Sequence, residues 1–375
     1  MQVVNELGAV GRNLNQIARA MNQGARVAGP TREELRAILK ACAGLRDHVD
    51  AREEPGWLDI VSYGRRGPGQ RGPLRPYYEA IARTTSRVPE VMVKVTGGGR
   101  NVRQVRDEIS YFGRKGKLEI ETDDGQRLQG AGIDKQIIED WDLDLEGLRG
   151  CSPYDGKSGR RSPKIVYNLM FSMPPGTPPQ KVWAAAKKFA LEKFALSHRY
   201  AMVLHTDERH PHVHMLVKAR SEEGVRLHIT KPMLREWRQE FARYLRELGV
   251  AANATDRKSR GQTKPRKLDG IYRAHLRGES SHMRERAEAV EAEMLKGRVN
   301  AELGKVKLIE TRRAIEHGWR AVRAHFDNEK QFDLANRVID FLDRIPVPRT
   351  EKEHIAIALA QHVKRRHTQE RHSTR

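Results

Sequence analysis

The chain has 375 residues, enough for two or three domains with at least one well-buried core. Its 70 Lys and Arg against 49 Asp and Glu give a formal charge of +21, which favours a polyanionic partner and nucleic acid first. No apolar run approaches the roughly 20 residues that span a bilayer, and no signal segment opens the chain, which predicts a cytoplasmic protein without membrane insertion. Cys42 and Cys151 are too few for a disulfide scaffold or a thiolate zinc site, so any metal falls to histidines and carboxylates.

Residues 1–55 predict a small helical segment. Apolar side chains recur at helical spacing over residues 5–22, and a second helix begins at Thr31, where Glu34 completes a capping box. The stretch RNLNQIARAMN resembles the corresponding part of MobC-type mobilisation accessory proteins. An ordinary amphipathic helix is the alternative interpretation of the same stripe.

Residues 56–88 are rich in Gly, Pro and Arg (GRRGPGQRGPLRP) and lack sustained periodicity, which predicts a basic linker. A compact domain is expected at 89–260. Residues 261–375 carry interspersed charges at helix-pair spacing and predict a basic helical extension without catalytic residues.

The pattern of the compact domain predicts an α+β fold with a mainly antiparallel sheet flanked by helices. The short turn between His205 and His212 makes the strands on either side of it antiparallel neighbours. An acidic loop is expected after Glu121. The predicted elements are strands at Val91–Val95, Lys117–Glu121, Lys164–Phe171, Tyr200–His205, His212–Lys218 and near Leu227, and helices at Asn101–Phe112, about Lys181–Phe194 and Leu234–Leu248.

A triple-glycine turn, GGGRN, lies between the first strand and the first helix of this domain. Backbone N–H groups at a helix amino terminus can hold a phosphate. The turn has no Walker lysine or serine, so it is interpreted as a DNA-phosphate contact or a plain tight turn.

The sequence HTDERHPHVHMLV is the most informative stretch of the chain. His212 and His214 are two residues apart in a strand and share a face, and the hairpin brings His205 alongside them. Three imidazoles at one point predict a metal site with open positions. Asp207, in the turn, is expected to accept the second ring N–H of a metal-bound histidine. His210 precedes Pro211 at an odd offset and is left out of the ligand set.

A second constellation is ISYFGRKGKLEIE. The apolar face of the preceding helix directs Tyr111 to the helix edge, just before Gly113 ends the helix. Arg114, Lys115 and Lys117 follow at once and supply cations that would hold a phosphate beside the phenol. Such a tyrosine is a candidate nucleophile, although a packing role is the commoner one for a tyrosine beside cations.

Together, SYFGRKGKLEIE and HTDERHPHVH resemble the relaxases of conjugative and mobilisable plasmids of the MOBP type, which are HUH endonucleases. The resemblance spans roughly residues 90–245. It implies that Tyr111 is the nucleophile and forms a 5′-phosphotyrosine adduct, that His205, His212 and His214 hold a divalent cation, and that Asp207 supports a histidine or assists proton transfer. A third match, FSMPPGT, implies that Ser172 contacts DNA beside the cleavage point.

The resemblance also implies the partners. These are single-stranded DNA at a transfer origin, accessory mobilisation proteins and a coupling protein of a type IV secretion system. Family habit favours Mg²⁺ or Mn²⁺ at the histidines, whereas ligand softness favours Mn²⁺ or Zn²⁺.

Other functions stay open on the sequence alone. A zinc hydrolase would use the three histidines to activate water and would not need Tyr111. A non-enzymatic DNA-binding mobilisation factor would depend on its helices and charge, and would tolerate replacement of His212 and His214. A replication initiator of the same endonuclease class would differ from a relaxase in its target origin.

Overall fold

The computed structural model describes residues 58–143, 162–195, 197–262, 274, 277–297 and 300–373. The predicted amino-terminal helices and the MobC-like stretch lie outside the described residues. In chain order the elements are α1 (Ile60–Arg65), α2 (Tyr78–Thr85), β1 (Met92–Gly97), α3 (Val102–Phe112), β2 (Ile120–Thr122), β3 (Arg127–Leu128), α4 (Ile133–Asp140), β4 (Val166–Ser172), α5 (Pro179–Phe194), β5 (Tyr200–His205), β6 (His212–Lys218), α6 (Lys231–Glu247), α7 (Ser281–Leu295), α8 (Gly304–Asn328), α9 (Phe332–Asp343) and α10 (Glu351–Ser373).

The described chain forms two compact units. One contains Val88–Ala254, and the other combines Trp57–Arg87 with Thr255–Arg375. None of the described helices is both long and apolar enough to cross a membrane.

The first unit is built on a six-stranded sheet with the order β1-β4-β6-β5-β2-β3. Every strand pair in it is antiparallel, including the predicted pairing of β5 with β6. Helices flank the sheet, so the predicted α+β fold is confirmed. The predicted strand near Leu227 is wrong, because Arg220 and Arg226 form only an isolated bridge.

The two faces of the sheet are covered by different helices. On one face, α5 and α6 bury an aromatic core in which the Phe171 ring lies 4.8 Å from the Phe189 ring and 5.2 Å from the Phe241 ring. On the other face, α3 and α4 pack over Val203 and Leu216. Directly paired residues of neighbouring strands share a face, and His214 pairs with Val203. The histidines therefore lie on the same face as α3.

The triple-glycine turn is required by close packing. Gly98 has φ +125°, and a Cβ there would stand 2.2 Å from the Val166 carbonyl oxygen. At Gly99 an added Cβ would stand 2.4 Å from the Val105 side chain. These contacts hold β1 and the start of α3 against β4, so glycine is needed here for packing.

The prediction of a linker at 56–88 is wrong for the residues of that segment that the structure describes. The α1 and α2 helices contribute Ile60 and Ile81 to a core with Trp319 and Phe326 of α8. Gly64 and Gly318 allow close backbone approach, since a Cβ on Gly64 would stand 2.5 Å from the Gly318 Cα. The segment is thus part of the second unit, whose carboxy-terminal part is helical as expected.

Candidate active site

Three histidines converge at one end of the sheet. His205 is the last residue of β5 and pairs in register with His212, the first residue of β6, while His214 lies two residues farther along β6. Their ring centroids are 4.9 to 5.2 Å apart. One ring nitrogen from each lies within 4.8 Å of the others, and all three side chains are buried. The convergence expected from the sequence is therefore observed.

One ring nitrogen of each histidine donates a hydrogen bond to a nearby oxygen. His212 Nδ1 donates to the His210 carbonyl at 2.9 Å, and His205 Nε2 donates to the Phe112 carbonyl at 2.6 Å. His214 Nδ1 donates to Asn168 Oδ1 at 3.0 Å. Because each neutral ring carries its proton on the donating nitrogen, the lone pairs lie on His212 Nε2, His214 Nε2 and His205 Nδ1.

The electrostatic state of the histidines suits metal binding. Burial lowers the pKa of His214 to about 3, and the neighbouring charges of His205, His212, Arg114 and Lys94 contribute to that lowering. Burial also lowers the pKa of His205. A metal ligand must be a neutral imidazole, and both side chains are neutral at neutral pH. The donor set therefore fits a divalent cation.

Arg114 links the histidines to the candidate nucleophile. Its guanidinium stands 5.3 Å from the centroid of the Tyr111 ring and reaches His205 Nδ1 at 3.3 Å. Arg114 and Lys115 have φ of +51° and +57°, a conformation that side chains other than glycine rarely adopt. This strained turn directs Arg114 back towards the site. A cation bound through His205 Nδ1 would replace the long contact to Arg114.

The partner of the Asp207 carboxylate differs from the one expected from the sequence. Its carboxylate lies 2.9 Å from Arg114 Nη2 and 3.1 Å from Arg114 Nε. Two backbone carbonyls and Asn168 act as the histidine acceptors in the described structure, so the expected hydrogen bond between a histidine and Asp207 is not formed, and its assistance in proton transfer stays a prediction. It reaches the site through Arg114.

Tyr111 is 60% exposed on the last turn of α3. The next residue, Phe112, is fully buried, and its carbonyl is the acceptor for His205. The backbone next to Tyr111 is thereby hydrogen-bonded to His205, while the phenol stays accessible. The sequence predicted this accessibility from the position of Tyr111 at the helix edge.

The remaining candidate residues lie around this point. Ser172 is buried and pairs in register with His212 across β4 and β6. Lys115 and Lys117 follow α3 in the turn that leads to β2. Lys115 also lines a cavity of about 270 Å³ whose other wall is formed by residues 130–134.

Sequence reasoning missed Lys94 and Asn168. Lys94 pairs with Met170, which pairs with His214, so an exposed cation lies in the same row of the sheet as the triad. Asn168 is 2% exposed on β4. A sequence signal for it existed, because Asn168 is the one amide in the apolar run VYNLMFS and shares the strand face of Ser172.

Comparison with known proteins shows a family to which part of this chain is similar. The family model for the MobA/VirD2-like relaxase nuclease domain matches residues 149–250, which include the three histidines. The T-DNA border endonuclease VirD2 of Rhizobium rhizogenes is 27% identical over 144 residues, covering 36% of this chain and 32% of the relative. VirD2 of Agrobacterium fabrum is 26% identical over 188 residues, covering 46% of this chain and 41% of the relative. The chain thus spans less than half the length of these relatives.

Proposed function

We propose that this chain, whose residues 149–250 match the family model of the MobA/VirD2-like relaxase nuclease domain, is a site- and strand-specific DNA relaxase. In this proposal it nicks one strand at a plasmid transfer origin for conjugative mobilisation, and later reseals it. The observation that carries the proposal is the buried triad of His205, His212 and His214 beside the exposed Tyr111, with Arg114 in contact with both.

The proposed reaction is a transesterification. The Tyr111 phenol oxygen gives up its proton and attacks the scissile phosphorus, the bond from phosphorus to the 3′ oxygen breaks, and the 3′ oxygen takes up one proton and leaves as a hydroxyl. One phosphodiester is exchanged for another of similar energy, so no ATP is required and the reverse reaction reseals the strand. Tyr111 remains linked to the 5′ phosphate in between.

The protein's own groups would orient and stabilise this step. Arg114 lies against the Tyr111 ring and would present positive charge where the phosphate would lie, and Asp207 fixes the guanidinium. A divalent cation held by the three histidines, Mg²⁺ or Mn²⁺ with Zn²⁺ also permitted by the ligands, would supply Lewis-acid polarisation of the phosphate. Asp207 thus acts on the reaction by positioning Arg114.

The substrate strand is single-stranded DNA in this proposal. Exposed Lys94 and Met92 continue the row of the triad towards the sheet edge. Lys115 and Lys117 lie in the turn before β2, the strand that neighbours β5 on the opposite side from β6. Cations and accessible apolar side chains are what a sequence-tolerant single-strand groove requires. The groove is proposed to run along this face, with Ser172 beside the scissile phosphate.

The proposed setting follows from the same function. A mobilisation relaxase acts in the cytoplasm on plasmid DNA, with accessory proteins that expose the single strand and a type IV secretion coupling protein that receives the covalent complex. The formal charge of +21 supports a nucleic-acid partner.

The test selects the target sequence from a random pool. Single-stranded oligonucleotides with a random central segment and a 3′ fluorophore are incubated with the full chain and Mn²⁺. Strands that stay bound to protein in detergent are recovered, and the sequence at their new 5′ end is read by primer extension. The enriched sequence is then resynthesised and used with protein variants.

The expected result is a fluorescent, detergent-stable adduct that requires Mn²⁺ and is abolished in Tyr111→Phe. Tyr167→Phe is the matched control, since it removes a hydroxyl whose bond to the Leu227 carbonyl is long at 3.4 Å; its adduct should match wild type. Cleaved strands in the random pool with no detergent-stable adduct would overturn the proposal in favour of a hydrolase. Strands retained by the native protein, with neither cleavage nor an adduct anywhere in the pool, would overturn it in favour of a DNA-binding factor.

A further inference from the structure

Glu108 connects the helix of Tyr111 to the histidine triad. It lies three residues before Tyr111 on α3 and is half-buried. Its carboxylate accepts a hydrogen bond from Asn168 Nδ2 at 2.7 Å and another from the Gly98 backbone N–H at 3.1 Å. Asn168 in turn accepts from His214 Nδ1. A continuous chain of hydrogen bonds therefore runs from α3 to one of the triad histidines.

The triple-glycine turn makes the seat for this carboxylate. A Cβ on Gly97 would stand 2.4 Å from Glu108 Oε1, so a larger residue would displace the carboxylate. Gly98 supplies the N–H donor. Lys164 Nζ donates to the Gly97 carbonyl at 2.6 Å and holds the turn from the other side. The turn, for which the sequence left open a DNA-phosphate contact or a plain tight turn, thus surrounds an acidic side chain.

The direction of each bond in this chain is fixed by chemistry. A carboxylate can only accept hydrogen bonds, so the amino end of the Asn168 amide must face Glu108. The carbonyl end then faces His214, which must carry its proton on Nδ1. The lone pair of His214 is thereby on Nε2, towards the other two histidines.

We propose that Glu108 is a positioning residue that sets the tautomer of His214 through Asn168. Without Glu108 the Asn168 amide is free to rotate by half a turn and present its amino group to His214 Nδ1. His214 would then carry its proton on Nε2 and could not bind a cation there. Groups that fix the second nitrogen of a histidine in this way typically change metal affinity about 10- to 100-fold.

The same helix acts on a second histidine. The Phe112 carbonyl, at the end of α3, accepts from His205 Nε2 and leaves the His205 lone pair on Nδ1. The helix that carries Tyr111 therefore sets the tautomers of two of the three histidines. The inference concerns the site of the proposed function, but it depends neither on Tyr111 chemistry nor on DNA.

The first measurement is the tautomer of His214 in the metal-free full chain. Long-range ¹H–¹⁵N correlation spectra of ¹⁵N-histidine protein distinguish a proton on Nδ1 from one on Nε2, and His214→Gln assigns the signals. Wild type should show Nδ1–H, and Glu108→Ala should shift His214 towards Nε2–H. Asp107→Ala, which removes an exposed neighbouring carboxylate on the same helix, should match wild type.

Mn²⁺ affinity by calorimetry gives the second readout. Glu108→Ala should weaken binding by about 10- to 100-fold, and Glu108→Gln, which keeps an acceptor for Asn168, should retain most of it. Adding Asn168→Asp to Glu108→Ala should rescue affinity, because a carboxylate at 168 can only accept from His214. A purely structural role for Glu108 does not predict this rescue.

Gly97→Ala is a second route to the same state if Glu108→Ala does not fold. It displaces the carboxylate while keeping every polar group, and should move the His214 signals in the same direction. Unchanged tautomer and unchanged Mn²⁺ affinity in folded Glu108→Ala or Gly97→Ala would overturn the inference. Failure of the adduct test would leave these two readouts unaffected, so the failures of the inference and of the proposed function are distinguishable.

Discussion

Substituting Gly98 by alanine tests the packing on which the site depends. Its φ of +125° strains any side chain, at a cost of about 1–2 kcal/mol. The new Cβ would also meet the Val166 carbonyl oxygen at 2.2 Å. Because that oxygen belongs to the backbone of a central strand, β4 must shift, and overpacking of this kind costs about 1–3 kcal/mol more. The free energy of unfolding of the first unit should fall by about 2–5 kcal/mol in total.

Gly130→Ala is the matched control. Gly130 also has a positive φ, +103°, but an added Cβ there meets nothing within 4 Å. It should therefore carry only the strain of about 1–2 kcal/mol. The assay is hydrogen exchange in increasing urea, followed on peptides from β4 and β6 so that it reports on the first unit alone. Equal losses for Gly98→Ala and Gly130→Ala would refute the reasoning, because the steric contact would then contribute nothing.

Other substitutions test other parts of the structure. Burial lowers the pKa of His198 from 6.5 to about 4, so acid protonates the unfolded chain first; the stability that neutral His198 contributes should fall by about 2 kcal/mol from pH 7 to pH 5, and in urea titrations at both pH values His198→Gln should lose about 2 kcal/mol less than wild type. Arg199→Met leaves the buried Asp123 without its cation and should cost about 3–5 kcal/mol, with partial recovery on adding Asp123→Asn; no recovery in urea titrations would contradict a charge effect. Gly318→Ala places a Cβ 2.2 Å from the Ile60 carbonyl and should speed hydrogen exchange in α8; unchanged exchange would contradict the docking of α1.

The sequence predicted the parts of the site that depend on strand geometry. Two-residue alternation and a short turn are local properties, and they place His205, His212 and His214 together whatever packs around them. Tyr111 was likewise found from the apolar periodicity of one helix. These features need only a few neighbouring residues to specify them.

The partners of those residues could not be predicted, because they come from distant parts of the chain. Asn168 and Glu108 are 60 residues apart, and their contact depends on how β4 packs against α3. Asp207 was the expected acceptor because it lies in the same hairpin, yet Arg114 competes for it with a full positive charge. Which partner Asp207 binds is decided by residues that are distant in the sequence, so the local sequence does not predict the contact.

The helices of two segments were missed for a different reason. The acidic loop expected after Glu121 contains α4, whose buried side is formed by Ile133, Ile137 and Trp141 at helical spacing. The Gly, Pro and Arg content of 58–87 hid two short helices whose apolar residues are stabilised by α8. For both segments the prediction followed residue composition and overlooked the helical spacing of the apolar residues. The local sequence does not show which surface each segment packs against.

The central claim is that Tyr111 becomes covalently linked to a 5′ phosphate. The most direct measurement is tandem mass spectrometry of the wild-type adduct after digestion with nuclease and protease. The expected result is a nucleotide phosphate on the peptide that contains Tyr111, attached to the phenol oxygen. A phosphate attached to another residue, or cleaved DNA with no modified peptide, would contradict it.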